Sequence, residues 1–283
     1  MKGESLLTTQ NLSVTFRRME RLGRVDRIPA LKGVSLSLSR GEVLAVIGSC
    51  GSGKSILAHA ILGILPANAE THGQILYRGE GLTCERLKQL RGREIALIPQ
   101  SVSYLDPLVK AKHAVRWAAR MRGLSETEAR VAQQDACFAV GLSEEAGERF
   151  PFQLSGGMSR RVFLAIATVG NPTILVVDEP TPGLHPEAVA ESLQRLRGFA
   201  DEGKTVLLIS HDIAASLTVA DRVAVFLDGS LVEVARADAF QGQGERLQHP
   251  YSRMLWNALP QNAFAGTSDF PTPPVETLHV ASD

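Results

Sequence analysis

Apolar and polar residues alternate in two segments near the start of the chain. Leu12, Val14 and Phe16 alternate with polar residues in NLSVTF, and LKGVSLSLS repeats the pattern; each predicts a strand with one buried face. Between them RRMERLGRVDR (17–27) is basic and without strong periodicity, and predicts a loop-like insertion. After Gly41-Glu42 the run VLAVIG predicts a short buried strand, followed by a Gly-rich loop and the helical stretch SILAHAILGIL. IALI, at 95–98, predicts another short strand, and 106–150 is helical and charge-studded, a helical subdomain inserted between strands.

The second half alternates strand and helix. Met158, Val162, Ala165, Ile166 and Val169 recur at i, i+4, i+7, i+8 and i+11, one apolar stripe along a helix. ILVVD and TVLLIS are continuous apolar runs suited to strands buried on both faces. Val189, Leu193, Leu196 and Phe199 mark a helix between them, and Gly203 ends it. This rhythm predicts an α/β fold, a largely parallel sheet covered by helices. No internal repeat is present, so one domain over 1–260 is expected. The polar tail 261–283, with Pro271, Pro273 and Pro274, is expected to be disordered.

Charge and cysteine content narrow the class. Lys plus Arg number 30 and Asp plus Glu number 30 in 283 residues, a net charge of zero, which weighs against nucleic acid as a partner. Cys50, Cys84 and Cys137 are odd in number and form no CxxC pair, as expected of reduced thiols in a cytosolic protein. MKGESLLTTQ has no apolar secretory core, and the most apolar long stretch, 56–65, contains His59 and Gly63. It is too short to span a bilayer, so any membrane role is expected to come through partners.

Two chemical signals stand out. Gly48-Ser49-Cys50-Gly51-Ser52-Gly53-Lys54-Ser55 matches GxxxxGK[ST] in full, with a predicted strand before it and a helix after it. Glycines let successive backbone N–H groups face phosphate oxygens, and the helix N-terminus adds a favourable dipole. Lys54 is suited to the β- and γ-phosphates of a nucleoside triphosphate, and the Ser55 hydroxyl to Mg²⁺. At the end of the run 174–179, Asp178 is suited to hold Mg²⁺, and Glu179 to polarise an attacking water as general base.

The segment Leu154-Ser155-Gly156-Gly157-Met158, 100 residues after Lys54 and some 20 before Asp178, selects among phosphate-loop proteins. It closely resembles the signature motif of ATP-binding-cassette (ABC) ATPases, and the resemblance extends over residues 6–259. It implies a P-loop NTPase nucleotide-binding domain of ABC type, with an antiparallel β subdomain and a helical subdomain at about 106–153. Ser155, Gly156 and Gly157 would complete the nucleotide site of a partner subunit. Gln100 looks like the Q-loop residue that senses Mg²⁺ or water, His211 like the switch histidine, and Phe16 like the aromatic that stacks on adenine. His185 stands where the family usually has Asp, in the loop after the catalytic Glu, either as a tolerated replacement at an interface loop or as a residue that makes one composite site of a heterodimer asymmetric.

Met158 at the end of the signature, Leu105-Asp106-Pro107 and His249-Pro250-Tyr251-Ser252-Arg253-Met254-Leu255 resemble the peptide and nickel importer branch. No cysteine follows Cys137, so the iron–sulfur cluster of some relatives is not expected. The resemblance implies an ATP- and Mg²⁺-dependent ATPase at the cytoplasmic face of a bacterial inner membrane. Its partners would be two transmembrane permease subunits, a related second ATPase or a second copy, and, indirectly, a solute-binding protein. Peptides, nickel and metal–opine chelates are all compatible solutes. The alternative is a soluble ABC ATPase of DNA repair or translation. Such proteins typically carry long coiled coils or two cassettes, which this sequence does not show.

Overall fold

The structure, a computed structural model, describes residues 5–19, 25–260 and 262. Strands β1 (Ser5–Met19) and β2 (Val25–Ser39) pair antiparallel. Leu12, Val14, Val34, Leu36 and Leu38 are buried while the residues between them are partly or fully exposed, as the alternation predicts.

The loop expected at 17–27 is corrected by the structure. The ladder continues through Arg17↔Arg27, Arg18↔Asp26 and Met19↔Val25, so strand pairing runs up to residues 20–24, which lie outside the described residues. No apolar alternation marks this part of the hairpin because neither of its faces is buried. Backbone pairing carries it, supported by ion pairs of Arg17 and Arg27 with Glu70 (3.4 and 3.7 Å) and of Arg18 with Asp26 (3.9 Å).

Strand β3 (Val43–Gly48) leads through the Gly-rich loop into α1 (Lys54–Leu62), which stops where Gly63 turns left-handed at φ +62°. Strands β4 (Ala69–Tyr77) and β5 (Glu80–Gly81) complete a four-stranded antiparallel sheet in the order β2-β1-β4-β5. Helix α2 (Cys84–Leu90) and strand β6 (Ile95–Ile98) follow. The helical insertion then comprises α3 (Ala111–Met121), α4 (Glu126–Ala139), which starts on a Ser125/Glu128 capping box, and the short α5 (Glu144–Gly147). Its Ala111, Val115, Ala119, Ala136 and Val140 are buried, whereas Trp117 is 67% exposed, as are most of Tyr104 and Leu108 before it.

The rest alternates as predicted through α6 (Gly156–Thr168), β7 (Ile174–Asp178), α7 (Pro186–Asp201) and β8 (Thr205–Ile209), and the short α8 (Ile213–Leu217), which the sequence pattern did not mark, follows. Strands β9 (Arg222–Leu227) and β10 (Ser230–Arg236) and helix α9 (Pro250–Asn257) end the described fold. The second sheet has the order β10-β9-β3-β8-β7-β6 and is parallel except for the β10 edge. The α/β class, the antiparallel sheet and the helical insertion expected from the sequence are therefore present. The tail 261–283, apart from Asn262, lies outside the described residues.

Three apolar clusters hold these layers together. The antiparallel sheet and α1 cover one face of the parallel sheet, while α6, α7 and the insertion cover the other. A third cluster joins α8, the segment after β10 and α9; here Trp256, 8% exposed, meets Phe240 edge-on with ring centroids 5.9 Å apart. Arg122, just past α3, ties the insertion to the end of α6 by donating to the carbonyls of Ile166 (3.3 Å) and Ala167 (3.2 Å), and to the turn before β6 through the Gly92 carbonyl.

Candidate functional site

Open parallel sheets bind ligands beyond the carboxyl ends of their strands. Most of the sequence-predicted residues leave the sheet at that end: 48–55 after β3, Gln100 after β6, Asp178 and Glu179 at β7, and His211 after β8. Local backbone shape follows from residue type. Gly48, with φ +151°, runs so close to β9 that a Cβ there would lie 2.2 Å from the Phe226 carbonyl oxygen. Gly53, with φ +95°, starts α1 and would bring a Cβ within 2.7 Å of the Ala30 carbonyl oxygen. No side chain caps α1, so its first N–H groups are left for an anion. Ser49, Cys50 and Gly51 are exposed; Ser52 is buried, and its hydroxyl has no hydrogen-bond partner.

The charged groups gather around this loop. Lys54 Nζ donates to the carbonyls of Gly48 (3.0 Å) and Ser49 (2.9 Å). Burial lowers its pKa, while nearby Glu179, Cys50 and Asp178 act in the opposite direction. The Ser55 hydroxyl donates to Asp178 Oδ1 at 3.1 Å. Burial raises the Asp178 pKa, and the Ser55 bond and the neighbouring His59 offset this only in part. Glu179 takes a left-handed backbone conformation, φ +50°, with its N–H bonded to the Ile209 carbonyl at 2.9 Å. Its carboxylate, on a side chain 14% exposed, meets Nδ1 of His211, which is 54% exposed.

Gln100 is exposed one strand over from the acidic pair, since Ile98 pairs with Val177. Phe16 lies in β1 opposite Ile28 and Ala69, half-buried against the first apolar cluster. Ser155 N-caps α6, its hydroxyl accepting from the Met158 N–H at 3.3 Å, and Ser155 and Gly156 are exposed. Among the described residues, none of 155–157 is hydrogen-bonded to 48–55, so the signature forms a second, separate polar surface. One side chain that the sequence pattern passed over joins the two: Arg160 donates to the carbonyls of Glu179 (3.4 Å) and Pro182. Arg160 falls off the apolar stripe of α6, so periodicity predicts a solvated side chain there.

His185 is exposed and N-caps α7, but its side chain makes no capping bond. An aspartate would accept from the first-turn N–H groups and oppose the helix dipole. His185→Asp is expected to stabilise the fold by about 1 kcal/mol, a rise of about 2–4 °C in Tm by thermal unfolding; an unchanged or lower Tm would contradict it.

The donor set fits ATP with Mg²⁺. Ser55 and Asp178 offer hard oxygens, and a magnesium ion completed by phosphate and water needs only one or two protein ligands. Among the described residues, no group of three or more His, Cys, Asp or Glu side chains is placed to hold a metal unaided.

Known proteins agree with this arrangement. A family model described as ABC transporter matches residues 31–182. The chain is 34% identical over 269 residues to the oligopeptide transport ATP-binding protein AmiE of Streptococcus pneumoniae serotype 4, covering 91% of this chain and 73% of that one. It is 32% identical over 286 residues to the dipeptide transport ATP-binding protein DppD of Bacillus subtilis, covering 96% and 82%. Among solved structures it is similar to the ATP-binding cassette MJ0796, a dimer in a post-hydrolysis state bound to ADP and Pi. The TM-score is 0.72 at 27% identity, over 84% of this chain and 100% of that one. The chain belongs to the ABC transporter family, as one of its ATPase cassettes.

Proposed function

We propose that the chain, with its cassette over 1–260, is the ATP-hydrolysing subunit of a peptide importer at the cytoplasmic face of a bacterial inner membrane. One observation carries this reading: Lys54, Ser55, Asp178, Glu179 and His211 converge at one end of the sheet, in a chain whose relatives are named for oligopeptide and dipeptide transport. The relatives' names favour peptides over nickel or metal–opine chelates, and transport over DNA repair or translation.

In this reading the backbone of 48–53 and Lys54 hold the phosphates, and Phe16 supports the adenine. Ser55 and Asp178, with Gln100, hold Mg²⁺, which when bound neutralises phosphate charge and orients the γ-phosphate. Glu179 accepts a proton from the attacking water at its carboxylate. His211 steadies that carboxylate through Nδ1 and contacts the γ-phosphate. Ser155, Gly156 and Gly157 serve the nucleotide of a second subunit, a related ATPase or another copy, so the pair closes on ATP and reopens after hydrolysis. His185 would then make one composite site of a heterodimer unlike the other, and His185→Asp would change the ATPase rate of the assembled complex.

No helix among the described residues is long and apolar enough to cross a membrane. The membrane path is assigned to two permease subunits, reached through the helical insertion at 106–153, and solute delivery to a separate binding protein. Affinity purification of the tagged chain from native membranes tests this. Two integral membrane proteins should co-purify, and peptide-loaded binding protein should stimulate ATP hydrolysis by the complex. A chain recovered alone, with hydrolysis indifferent to peptide, would overturn the importer reading.

A further inference from the structure

Two adjacent arginines on α6 have different fates. Arg161 turns to the surface, where it pairs with Glu191 at 2.8 Å and donates to the Gly141 carbonyl at 2.9 Å. Arg160 turns inward, and its guanidinium bonds to backbone alone: the carbonyls of Glu179 and Pro182, which bracket the turn leaving β7. Burial lowers its pKa, as expected of a cation enclosed without a carboxylate partner.

The turn it grips is costly to hold. Glu179 is not glycine yet sits in the left-handed region, a conformation that persists only when its surroundings impose it. Packing holds its flanks, Asp178, Pro180 and Thr181 being buried, but leaves a gap on one side. A cavity of about 50 Å³ lies beside the turn, lined by Ile98, Leu164, Val177, Pro180 and Leu184 together with Arg160 itself. The segment therefore has slack on its apolar side, and the Arg160 bonds on its polar side. The one other backbone bond to Glu179, from its N–H to Ile209, fixes where the strand ends but not the direction in which the carbonyl then turns.

We infer that Arg160 is a positioning residue for hydrolysis: by holding the Glu179 and Pro182 carbonyls it keeps Glu179 in its left-handed conformation, and so keeps the carboxylate aimed at the site. This rests on the reading of Glu179 as the base. Arg160 stands on the helix whose N-terminus is the signature, and Leu184 of the same turn lies near that N-terminus, 4.0 Å from where a Gly156 Cβ would be. A shift of α6 that answers a partner's nucleotide would thus move the base of the helix's own subunit. One guanidinium links the two composite sites of a dimer.

The test is a mutant cycle on the purified full chain under conditions where the wild type hydrolyses ATP. Arg160→Met should lower kcat about 10- to 100-fold, leaving KM and nucleotide affinity within about threefold, because positioning acts on the transition state. Arg160→Lys, which keeps a cation that can reach one of the carbonyls, should recover part of the rate. In a Glu179→Gln background, Arg160→Met should cost nothing further, since there is no base left to aim. A general structural role predicts the opposite, a loss of affinity and Tm together and an equal cost in both backgrounds, and would overturn the inference. Normal kcat for Arg160→Met, with Glu179→Gln inactive, would overturn it alone. Normal kcat for Glu179→Gln would overturn the reading of Glu179, and this inference with it.

Discussion

Glu179→Gln is expected to leave a cassette that binds ATP and closes upon it but hydrolyses it at least about 100-fold more slowly, the usual worth of a positioned general base. The replacement is close to isosteric, so the left-handed turn and the Ile209 bond can persist. The amide oxygen can still accept from His211, which preserves the pairing at the mouth of the site. What disappears is the capacity to take a proton from water. In the proposed cycle reopening depends on hydrolysis, so the variant should accumulate as a closed dimer. Size-exclusion chromatography with ATP and Mg²⁺ should show a persistent dimer where the wild type shows a transient one. Undiminished turnover would assign the base to another group.

Lys54→Ala should act one step earlier. In the proposed site its ammonium addresses the phosphates, and a hydrogen bond to a charged group is worth about 1.5–3 kcal/mol, which is about 10- to 150-fold in Kd for ATP. Loss of the two bonds to the Gly48 and Ser49 carbonyls adds to the effect by loosening the loop. The direct measurement is a nucleotide titration; the supporting one is the thermal shift on adding ATP, which should vanish if binding is lost. ATP affinity equal to the wild type would remove Lys54 from the site.

The strands that carry the site were legible because they are buried on both faces: VLAVIG, IALI and ILVVD coincide with β3, β6 and β7. A parallel strand between two layers of helix has no solvent face to interrupt its apolar run. The outer half of the β1–β2 hairpin was missed for the converse reason. It buries neither face, and cross-strand backbone bonds leave no mark on hydropathy. The β4–β5 hairpin and α2 were likewise not singled out, being largely exposed.

At the site, the phosphate loop was readable because chemistry fixes both residue types and spacing in one continuous stretch. Arg160 was not, because its meaning lies in a fold-dependent encounter between the start of α6 and the exit of β7, roughly 20 residues apart. The uncapped start of α7 at His185 was visible as an unusual residue, but only the backbone shows that it occupies an N-cap.

The chain contains two tryptophans, Trp117 on the outer surface of the helical insertion and Trp256 sealed into the third apolar cluster. Their surroundings differ enough to divide the intrinsic fluorescence into a long-wavelength, iodide-quenchable component and a short-wavelength, shielded one. Docking of a permease on the insertion would then be seen as loss of the quenchable fraction, and loosening of α9 as growth of it. The native polypeptide carries its own pair of optical probes, one on the exposed surface of the helical insertion and one inside the third apolar cluster.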